Sequence, residues 1–410
     1  MNSSSFSRRG FVAGAAGGLA ASVYAQTPGA NDRLRIAIVG PGAQGSGLLS
    51  EFLRQAPGMN AEMVAVCDLW VKRQDRAAGV VKQATGKEPR KVQHLEEVLA
   101  MQDVDGVIIA TPDHAHSPQL VQAIQAGKDV YVEKPLGTPQ LAPLKKAYAV
   151  AKASKQVVQV GTQGMSTGNY QAAAEYVRSG RLGRISRVLH EAVWMGQVWR
   201  PVPAAKEIRE SETDWNAWLM GHRKRPFDPN LYFEFRVYRE FSNGLVDQWL
   251  SHSLAMVHHV MDDYFPVSVV ANGGTFLYKD ARENPDTFAV TYTYPKGFIY
   301  SWAAAFGNDY PGVTRFYGEN GTLENSPKGY VARPLGGRRL PTKLTEETVL
   351  QPISPASHMR NWLECMRTRK TPNADIRSGY AASVAAIMAQ QSDIAGKRLY
   401  WDAQKEEIVD

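Results

Sequence analysis

Short apolar runs alternate with segments of helical spacing along the first third of the chain. Runs rich in Ile and Val, with no polar alternation, are typical of parallel strands buried on both faces. We predict strands at Leu34–Val39, Glu62–Cys67, Val104–Ala110, Asp129–Val132 and Val157–Val160, and helices at Ser46–Gln55, Ser117–Ala126 and Pro139–Ser154. The alternation predicts an α/β Rossmann domain, a doubly wound parallel sheet, over residues 33–160.

From Gly183 onward the pattern changes to longer runs, several of which alternate between apolar and polar residues. Such alternation indicates a sheet with one exposed face. We predict strands at Ile185–Val193, Val267–Phe276, Thr287–Tyr294, Phe298–Ala305 and Val313–Gly318, and helices near Ser357–Thr368 and Ser378–Gln391. We therefore expect a second, α+β domain over residues 161–410, with its last helices packed back on the first domain.

Residues 1–25 have a third pattern. The segment Ser7–Val12 contains the pair Arg8 and Arg9, a weakly apolar run follows, and Ala25 ends a small-residue cleavage site. These features predict a Tat signal peptide, and hence the Tat export machinery as a partner and a periplasmic or otherwise exported location. The run is too short and too rich in Gly and Ala for stable membrane insertion.

Composition narrows the class of protein. The 410 residues include 44% hydrophobic and 21% charged residues, which is typical of a globular protein with more than one domain. The formal charge is +7, but the basic residues are spread out, and the only tight cluster, residues 222–225, is interpreted as a solvated loop. We expect no nucleic-acid partner. Cys67 falls in a predicted buried strand, so we expect no disulfide with Cys365, the other cysteine.

A glycine fingerprint, Gly40-x-Gly42-x-x-Gly45, lies between the first strand and the first helix. This order suits a dinucleotide, because the glycines make the turn and admit the pyrophosphate at the helix N-terminus. Asp68 follows the second strand about 23 residues after Gly45, where a carboxylate accepts the ribose hydroxyls. The acid favours NAD over NADP, whereas Lys72 and Arg73 keep NADP open.

Other polar residues follow the later strands of the predicted sheet. Ligands of doubly wound sheets lie beyond the carboxyl ends of the strands. We therefore expect cofactor contacts from the glycine loop and these strand ends, at Gly40, Gly42, Gln44, Gly45, Asp68, Thr111, Pro112, His114, His116, Glu133, Lys134 and Gln163. The spacing of His114 and His116 could suggest a metal, but no convincing further ligand pair exists, so no metal is predicted.

These motifs in this order resemble the Gfo/Idh/MocA family of oxidoreductases. The resemblance depends on the glycine loop, on the turn Thr111–His116, and above all on Ala126–Lys128 leading into Glu133-Lys134-Pro135; it extends to Trp215–Trp218 and Arg398–Asp402. It implies a large mixed, mostly antiparallel sheet in the second domain, commonly used in a homo-oligomer (a dimer or tetramer). It also implies a sugar, cyclitol or polyol substrate.

The resemblance implies that Lys134 approaches the substrate hydroxyl beside the nicotinamide. Independent chemistry agrees, because oxidation of a carbinol needs a group that takes its proton, and a desolvated lysine has a lowered pKa. Glu133 offers a charge partner or a cofactor contact, and Pro135 is predicted to follow a cis peptide. A solvated lysine at a strand end is the alternative.

The family's second catalytic element is a histidine four residues after an aspartate. His252 matches the histidine, but Gln248 occupies the place of the acid, and Asp247 comes one residue early, about 100° away on a helix. His252 could still relay a proton alone, since the ordinary histidine pKa is about 6.5. A buried structural histidine is the competing interpretation.

Aromatic residues crowd the segment between the first two strands of the second domain. Aromatic faces stack on the apolar faces of sugar rings, and an arginine can bind hydroxyls or an acidic group. The candidate substrate contacts are Arg236, Tyr238, Gln248, Trp249 and His252, although most aromatics of this segment should be core or lid packing.

Three functions stay open at this point. The first is an exported NAD(P)-dependent oxidoreductase that acts on a carbohydrate or polyol with a tightly held cofactor. The second is an NAD-dependent glycosidase that oxidises C3 transiently, eliminates the aglycone, adds water and returns the hydride, without the usual carboxylate pair. The third is a non-catalytic sugar or nucleotide sensor, which only the loss of the acid at Gln248 supports.

Overall fold

The computed structural model describes residues 32–194, 199, 202–336, 344–353 and 356–410, so the predicted signal peptide lies outside the described residues. The first domain contains strands β1 (Leu34–Val39), β2 (Ala61–Cys67), β3 (Arg90–Val92), β4 (Gly106–Ile109), β5 (Asp129–Val132) and β6 (Val158–Val160). Its helices are α1 (Ala43–Gln55), α2 (Val71–Thr85), α3 (Leu95–Leu99), α4 (His116–Gln125) and α5 (Leu141–Ala153).

The six strands of the first domain form a parallel sheet in the order β3-β2-β1-β4-β5-β6. The strand order reverses between β1 and β4, so the helices that follow these strands leave on opposite faces and a crevice opens at the carboxyl ends. The predicted Rossmann sheet is confirmed, and β1 and β5 match the prediction residue for residue. The pattern missed α2 and β3, which are mostly polar, and α3, which has only five residues.

The second domain is built on a ten-stranded sheet. Its strands are β7 (Ile185–Trp194), β8 (Ser268–Gly274), β9 (Thr287–Tyr294), β10 (Phe298–Phe306), β11 (Thr314–Gly318), β12 (Gly321–Ser326), β13 (Gly329–Pro334), β14 (Thr348–Val349), β15 (Leu399–Asp402) and β16 (Glu407–Val409). The order is β14-β13-β12-β11-β7-β10-β9-β8-β15-β16, in which β7 and β10 pair in parallel and the other described pairs are antiparallel. The predicted mixed, mostly antiparallel sheet is thus confirmed.

Helices also occur in the second domain, and some of them join its sheet to the first domain. They are α6 (Gly168–Arg178), α7 (Trp215–Leu219), α8 (Pro229–Glu234), α9 (Ser251–Met261), α10 (His358–Thr368) and α11 (Ile376–Ala395), and a π-helical turn at Val246–Leu250 leads into α9. Helix α10 packs on α1, and α11 packs on α5 and β6. These contacts connect the last two helices of the chain with the first domain.

A separate apolar cluster is formed mostly by the segment that connects β7 to β8 in the sequence. Residues 202–245, here called the cap, bury aromatic and aliphatic side chains together with Trp70 of the first domain. The cluster consists of Trp70, Ile208, Trp215, Trp218, Leu219, Leu231, Tyr232, Phe235 and Phe241. Because Trp70 begins α2 next to Asp68, this packing sets the cap over the nucleotide side of the crevice.

Candidate active site

A cleft of about 1120 Å³ lies between the carboxyl ends of the parallel strands, the cap and the start of α9. The predicted site residues that line it are Gly40, Gly42, Gln44, Asp68, Thr111, Pro112, His116, Glu133, Lys134, Gln163, Arg236, Gln248, Trp249 and His252. The topology thus gathers residues from five separate strand ends and from the second domain at one place. A cleft of this kind, with a few converging polar groups, is the expected form of a ligand site.

The glycine loop has the shape that a dinucleotide requires. Gly40 has a φ of +77°, and a Cβ at this position would lie 2.9 Å from the backbone of Ala110. Gly45 packs so closely that a Cβ would lie 2.4 Å from the carbonyl oxygen of Gly40. Gly45 therefore lets α1 approach β1, and Gly42 faces the cleft, where the N-terminus of α1 attracts a phosphate.

Asp68, the acid that the sequence predicts at the ribose, lines the cleft after β2. Asp68 is buried, accepts a hydrogen bond of 2.9 Å from the backbone nitrogen of Trp70, and has the guanidinium of Arg73 at 3.9 Å. Burial raises the pKa of Asp68, and Arg73 opposes this. Arg73 also lies 3.6 Å from the position of a Cβ on Gly42, so an acid that suits NAD and a base that suits NADP both reach this end of the cleft.

Glu133 links two of the other predicted residues. Its Oε1 accepts hydrogen bonds from Nε2 of Gln44 at 2.9 Å and from Nε2 of Gln163 at 2.6 Å, and its Oε2 accepts one from the backbone nitrogen of Lys134. Burial raises the pKa of Glu133, and these donors with the charge of Lys134 lower it. Glu133 thus ties the glycine loop to the strand end that carries Lys134.

The amino group of Lys134 lies at the centre of the site. The Lys134–Pro135 peptide is cis, as predicted. Nζ donates hydrogen bonds to the backbone oxygen of Gln248 at 3.0 Å and to its side-chain Oε1 at 2.9 Å. Burial lowers the pKa of Lys134, and the charges of Asp113, Glu133 and Asp247 raise it. A lysine held by the turn before α9 is not the solvated strand end that was the alternative.

The turn that contains Gln248 explains why Asp247 does not take the place of the acid that the family has at position 248. Residues Val246–Leu250 form a π-helical turn, a geometry often found at functional sites. Asp247 is fully buried and accepts a hydrogen bond of 2.6 Å from the backbone nitrogen of Asn243, whereas Gln248 points into the cleft. Burial raises the pKa of Asp247 to about 7, with Asp113 adding to the shift. Asp247 therefore stays outside the cleft, as its offset predicted.

His252 lies in the cleft one turn after Gln248. Burial, then the charges of Lys134 and His358, lower its pKa to about 3. The proton-relay prediction assumed the ordinary histidine pKa of about 6.5, whereas the pKa of His252 in these surroundings is much lower. At neutral pH the ring is therefore an uncharged hydrogen-bonding group.

Two predicted site residues are not where the sequence suggested. His114 is turned into the cap, where Nε2 lies 2.9 Å from the backbone oxygen of Trp218 and the ring packs edge-on against Trp218 and Phe241, so it is not among the described residues that line the cleft. Tyr238 likewise packs on the cap cluster instead of lining the cleft. The cause is the cap cluster, whose apolar side chains bury these two rings. No local motif in the sequence predicts that cluster.

His116 lines the cleft, but both nitrogens of its ring already contact backbone oxygens. Nδ1 lies 2.7 Å from the oxygen of Pro135 and Nε2 lies 2.9 Å from the oxygen of Thr111. The ring thus fixes the turn after β4 against the strand end that carries Lys134. Within the described ranges, no three His, Cys, Asp or Glu side chains gather as a metal site.

Sequence reasoning missed three polar residues around the cleft. Asp113 accepts hydrogen bonds of 2.7 Å from both Ser242 and Gln248, and Glu234 lines the cleft from the end of α8. Burial raises the pKa of Glu234 to about 7, against the charges of Arg236 and Arg282. Asp113 belongs to the turn Thr111–His116, from which the sequence predicted cofactor contacts by other residues. Ser242 and Glu234 belong to no recognisable motif.

Other structural features concern the remaining predictions. Cys67 and Cys365 are both buried and free. In the basic cluster, His222 and Arg225 contact Glu240. As far as the structure describes residues 32–410, no helix has both the length and the apolar character needed to cross a membrane.

Comparison with known proteins adds the family context. A model described as "Oxidoreductase family, NAD-binding Rossmann fold" matches residues 34–162, and one described as "GFO/IDH/MocA C-terminal domain" matches residues 217–324. Inositol 2-dehydrogenase 3 of Saccharopolyspora erythraea is 30% identical over 189 residues, 46% of this chain and 54% of that protein. The chain thus matches about half the length of this curated relative.

Two further matches extend the comparison. A glycosyl hydrolase family 109 protein of Stenotrophomonas maltophilia is 35% identical over 134 residues, 31% of this chain and 29% of that protein. The crystal structure of the aldose-aldose oxidoreductase from Caulobacter crescentus, complexed with glycerol, covers 90% of this chain and 99% of its own, with a TM-score of 0.69 and 17% identity. This last likeness shows the shared fold.

Proposed function

The chain belongs to the Gfo/Idh/MocA oxidoreductase family, and from that premise we propose that it transfers hydride between NAD(P) and a hydroxyl-bearing carbon of a sugar or polyol. The observation that carries the proposal is the position of Lys134, whose amino group lies in the same cleft as the glycine loop and His252. The name of the inositol dehydrogenase relative supports a polyol or sugar as the substrate class.

The chain's own residues divide the work between the two ends of the cleft. The glycine loop, Asp68 and the strand ends would hold the dinucleotide, which supplies the hydride acceptor when it is bound. Lys134 takes the proton of the substrate hydroxyl and returns it in the reverse direction. His252, as an uncharged imidazole, hydrogen-bonds the substrate, and Arg236 and Trp249 bind its hydroxyls and its apolar face.

We further propose that the cofactor is held tightly, because the cap bridges to the first domain around its adenosine end. Trp70 Nε1 donates a hydrogen bond of 3.4 Å to Glu212, Lys72 pairs with Glu207 at 3.6 Å, and His94 lies 3.8 Å from Asp214. Each exposed pair of this kind stabilises the contact between the cap and the first domain only slightly. Together with the cap cluster, however, they must separate before a nucleotide can leave the cleft between the cap and the first domain.

The first experiment is the nucleotide content of the purified protein. The protein is denatured, the supernatant is chromatographed, and about one NAD(H) or NADP(H) per chain is expected. Dilution and overnight dialysis before denaturation test retention. A protein that binds neither nucleotide even when both are supplied would contradict the proposal, and rapid loss on dilution would contradict tight retention alone.

Export is part of the proposal and depends on Arg8, Arg9 and the cleavage site before Gln26. Because the Tat route accepts folded proteins, cofactor bound in the cytoplasm would travel with the enzyme, and a captive cofactor would need a second substrate to recycle it. Replacement of both arginines by lysine should move the protein from the exported to the cytoplasmic fraction. Equal export of the variant would contradict the Tat leader. We also propose a homo-oligomer, which light scattering tests.

A second candidate function is a glycosidase that closes its own redox cycle. The likeness of residues in this chain to a glycosyl hydrolase family 109 protein favours it. Oxidation of a ring hydroxyl acidifies the neighbouring C–H, the aglycone leaves by elimination, water adds, and the carbonyl is reduced again, so no net oxidant is consumed. A panel of aryl glycosides, assayed without added NAD, separates the two functions: release of aglycone supports hydrolysis, and its absence with polyol oxidation supports the dehydrogenase.

A further inference from the structure

Gln248 lies between a base and an acid. Its side-chain Oε1 accepts a hydrogen bond of 2.9 Å from Nζ of Lys134, and its Nε2 donates one of 2.7 Å to Oδ2 of Asp113. An ammonium group only donates and a carboxylate only accepts, so this arrangement permits a single orientation of the amide. The amide thus connects the lysine of the strand end after β5 to the acid of the turn after β4.

Asp113 is held in place for this contact. It is buried, and the hydroxyl of Ser242 donates a hydrogen bond of 2.7 Å to its Oδ2. The same hydroxyl accepts a bond of 3.0 Å from the backbone nitrogen of Gly244. The position and the direction of the carboxylate are therefore set by the segment that begins the π-helical turn.

We propose that Asp113 is a positioning residue for Lys134, acting through Gln248 in place of an acid bonded directly to the lysine. The inference rests on the proposed role of Lys134 and deepens it. Two effects follow: Asp113 fixes the oxygen of Gln248 toward the amino group, and its buried negative charge offsets the buried positive charge across the amide.

The other charged or titratable groups around Lys134 do not replace Asp113. Those that face it are Asp113, Glu133, Asp247, Arg236, His116 and His252. Glu133 is bonded to two glutamine side chains and Asp247 to Asn243, so neither side chain is hydrogen-bonded to Nζ or to the side chain of Gln248. Arg236 repels the ammonium. Asp113 is thus the acid that both adds a favourable charge and orients the amide.

The test measures the titration of Lys134 without using turnover. Competitive trace labelling with acetic anhydride, followed by mass spectrometry of the peptide that contains Lys134, gives its pKa in the intact protein with its bound nucleotide. Asp113→Asn keeps the shape but removes the charge, so the pKa of Lys134 should fall by about one unit. Ser242→Ala is the matched control, because it removes one donor and keeps the carboxylate, and it should change the pKa much less.

A transposed variant makes the test specific. In Asp113→Asn with Gln248→Glu, the acid and the amide exchange places, so the negative charge returns beside Lys134 and the pKa should return to or exceed the original value. A purely structural role of Asp113 would not produce this rescue. Thermal unfolding and nucleotide content confirm that each variant is folded.

Two results would overturn the inference: an unchanged pKa of Lys134 in folded Asp113→Asn, or no recovery in the folded transposed variant. Labelling also separates this inference from the proposed function. If the pKa moves and recovers as stated but no polyol or glycoside is turned over, the role of Asp113 stands and the proposed function fails. If turnover exists and the pKa is insensitive to Asp113, the reverse holds.

Discussion

The two ends of the cleft are built in different ways. At the nucleotide end, backbone shape and aromatic packing dominate: the glycine loop admits a close approach, and Trp70 anchors the cap beside Asp68. At the reacting end, a chain of side-chain hydrogen bonds runs from Lys134 through Gln248 to Asp113. The nucleotide end should therefore be sensitive above all to added volume, and the reacting end to a change of charge or of hydrogen-bonding capacity. Variants that change one property at a time therefore test the contrast.

The largest effect is expected at the reacting end. Lys134→Ala removes the group that takes the substrate proton, so kcat should fall by about 10³-fold while nucleotide content stays the same. Initial rates and chromatography of released nucleotide measure the two properties. Lys82→Ala, at an exposed lysine of α2, is the control and should keep full activity. An unchanged rate in Lys134→Ala would show that the site is assigned to the wrong residue.

The next effect is expected at the nucleotide end. Gly45→Ala places a methyl group 2.4 Å from the oxygen of Gly40, which forces α1 away from β1. We expect a loss of about 2 kcal/mol in the free energy of unfolding and much weaker nucleotide binding. Denaturant titration and calorimetry measure these quantities.

The same helix offers a matched control for that change. Gly47 lies in α1 with no packing neighbour within 4 Å of the point where an added methyl group would lie, so Gly47→Ala should stabilise the protein by up to about 1 kcal/mol. Similar losses in both variants would contradict a specific effect of the close approach at Gly45, since Gly47 has no such neighbour.

The cap provides a smaller effect on kinetics. Trp70→Ala removes the first-domain side chain that is buried within the cap cluster, so bound nucleotide should dissociate about tenfold faster, equivalent to about 1.4 kcal/mol. The fluorescence of NAD(P)H after dilution follows this release. Lys72→Ala removes only an exposed ion pair to the cap and should change the rate little. Equal rates in Trp70→Ala and the unaltered protein would contradict retention by the cap.

A pH dependence of stability is expected at the side of the cleft that the cap lines. Burial raises the pKa of Glu234 to about 7 in the folded protein, above its ordinary value of 4.5, so the folded state binds this proton more tightly than the unfolded state. The resulting stability is present below about pH 4.5 and is lost as the pH rises through 7. Glu234→Gln should therefore be more stable than the unaltered protein above pH 7, with little difference at pH 4.5.

Thermal unfolding across pH 4.5–8 measures that difference. Glu407→Gln, at an exposed position of β16, is the matched control and should show a flat difference across the range. A flat difference for Glu234→Gln as well would show that this carboxyl group is better solvated than its position suggests.

Local patterns predicted much of the fold. Largely apolar runs identified β1 and β5 residue for residue, because strands buried on both faces are built mainly from apolar residues. The glycine spacing and the acid after β2 predicted the nucleotide end for a similar reason, since backbone geometry restricts residue type. The elements β3 and α3 escaped prediction because they are short: β3 has three residues, two of them exposed, and α3 has five residues, too few for a clear periodicity.

The sequence by itself therefore determined the Rossmann domain and the glycine loop, since each depends on periodicity or on a local backbone constraint. The family resemblance of its motifs added the expectation of the mixed sheet and of a role for Lys134. Only the tertiary structure decided what lies around that lysine. It turned His114 into the cap, placed His252 in surroundings that keep it uncharged, and joined Gln248 to Asp113, which lies 135 positions away. Burial and long-range hydrogen bonds depend on which elements pack together, and a local pattern does not contain that information.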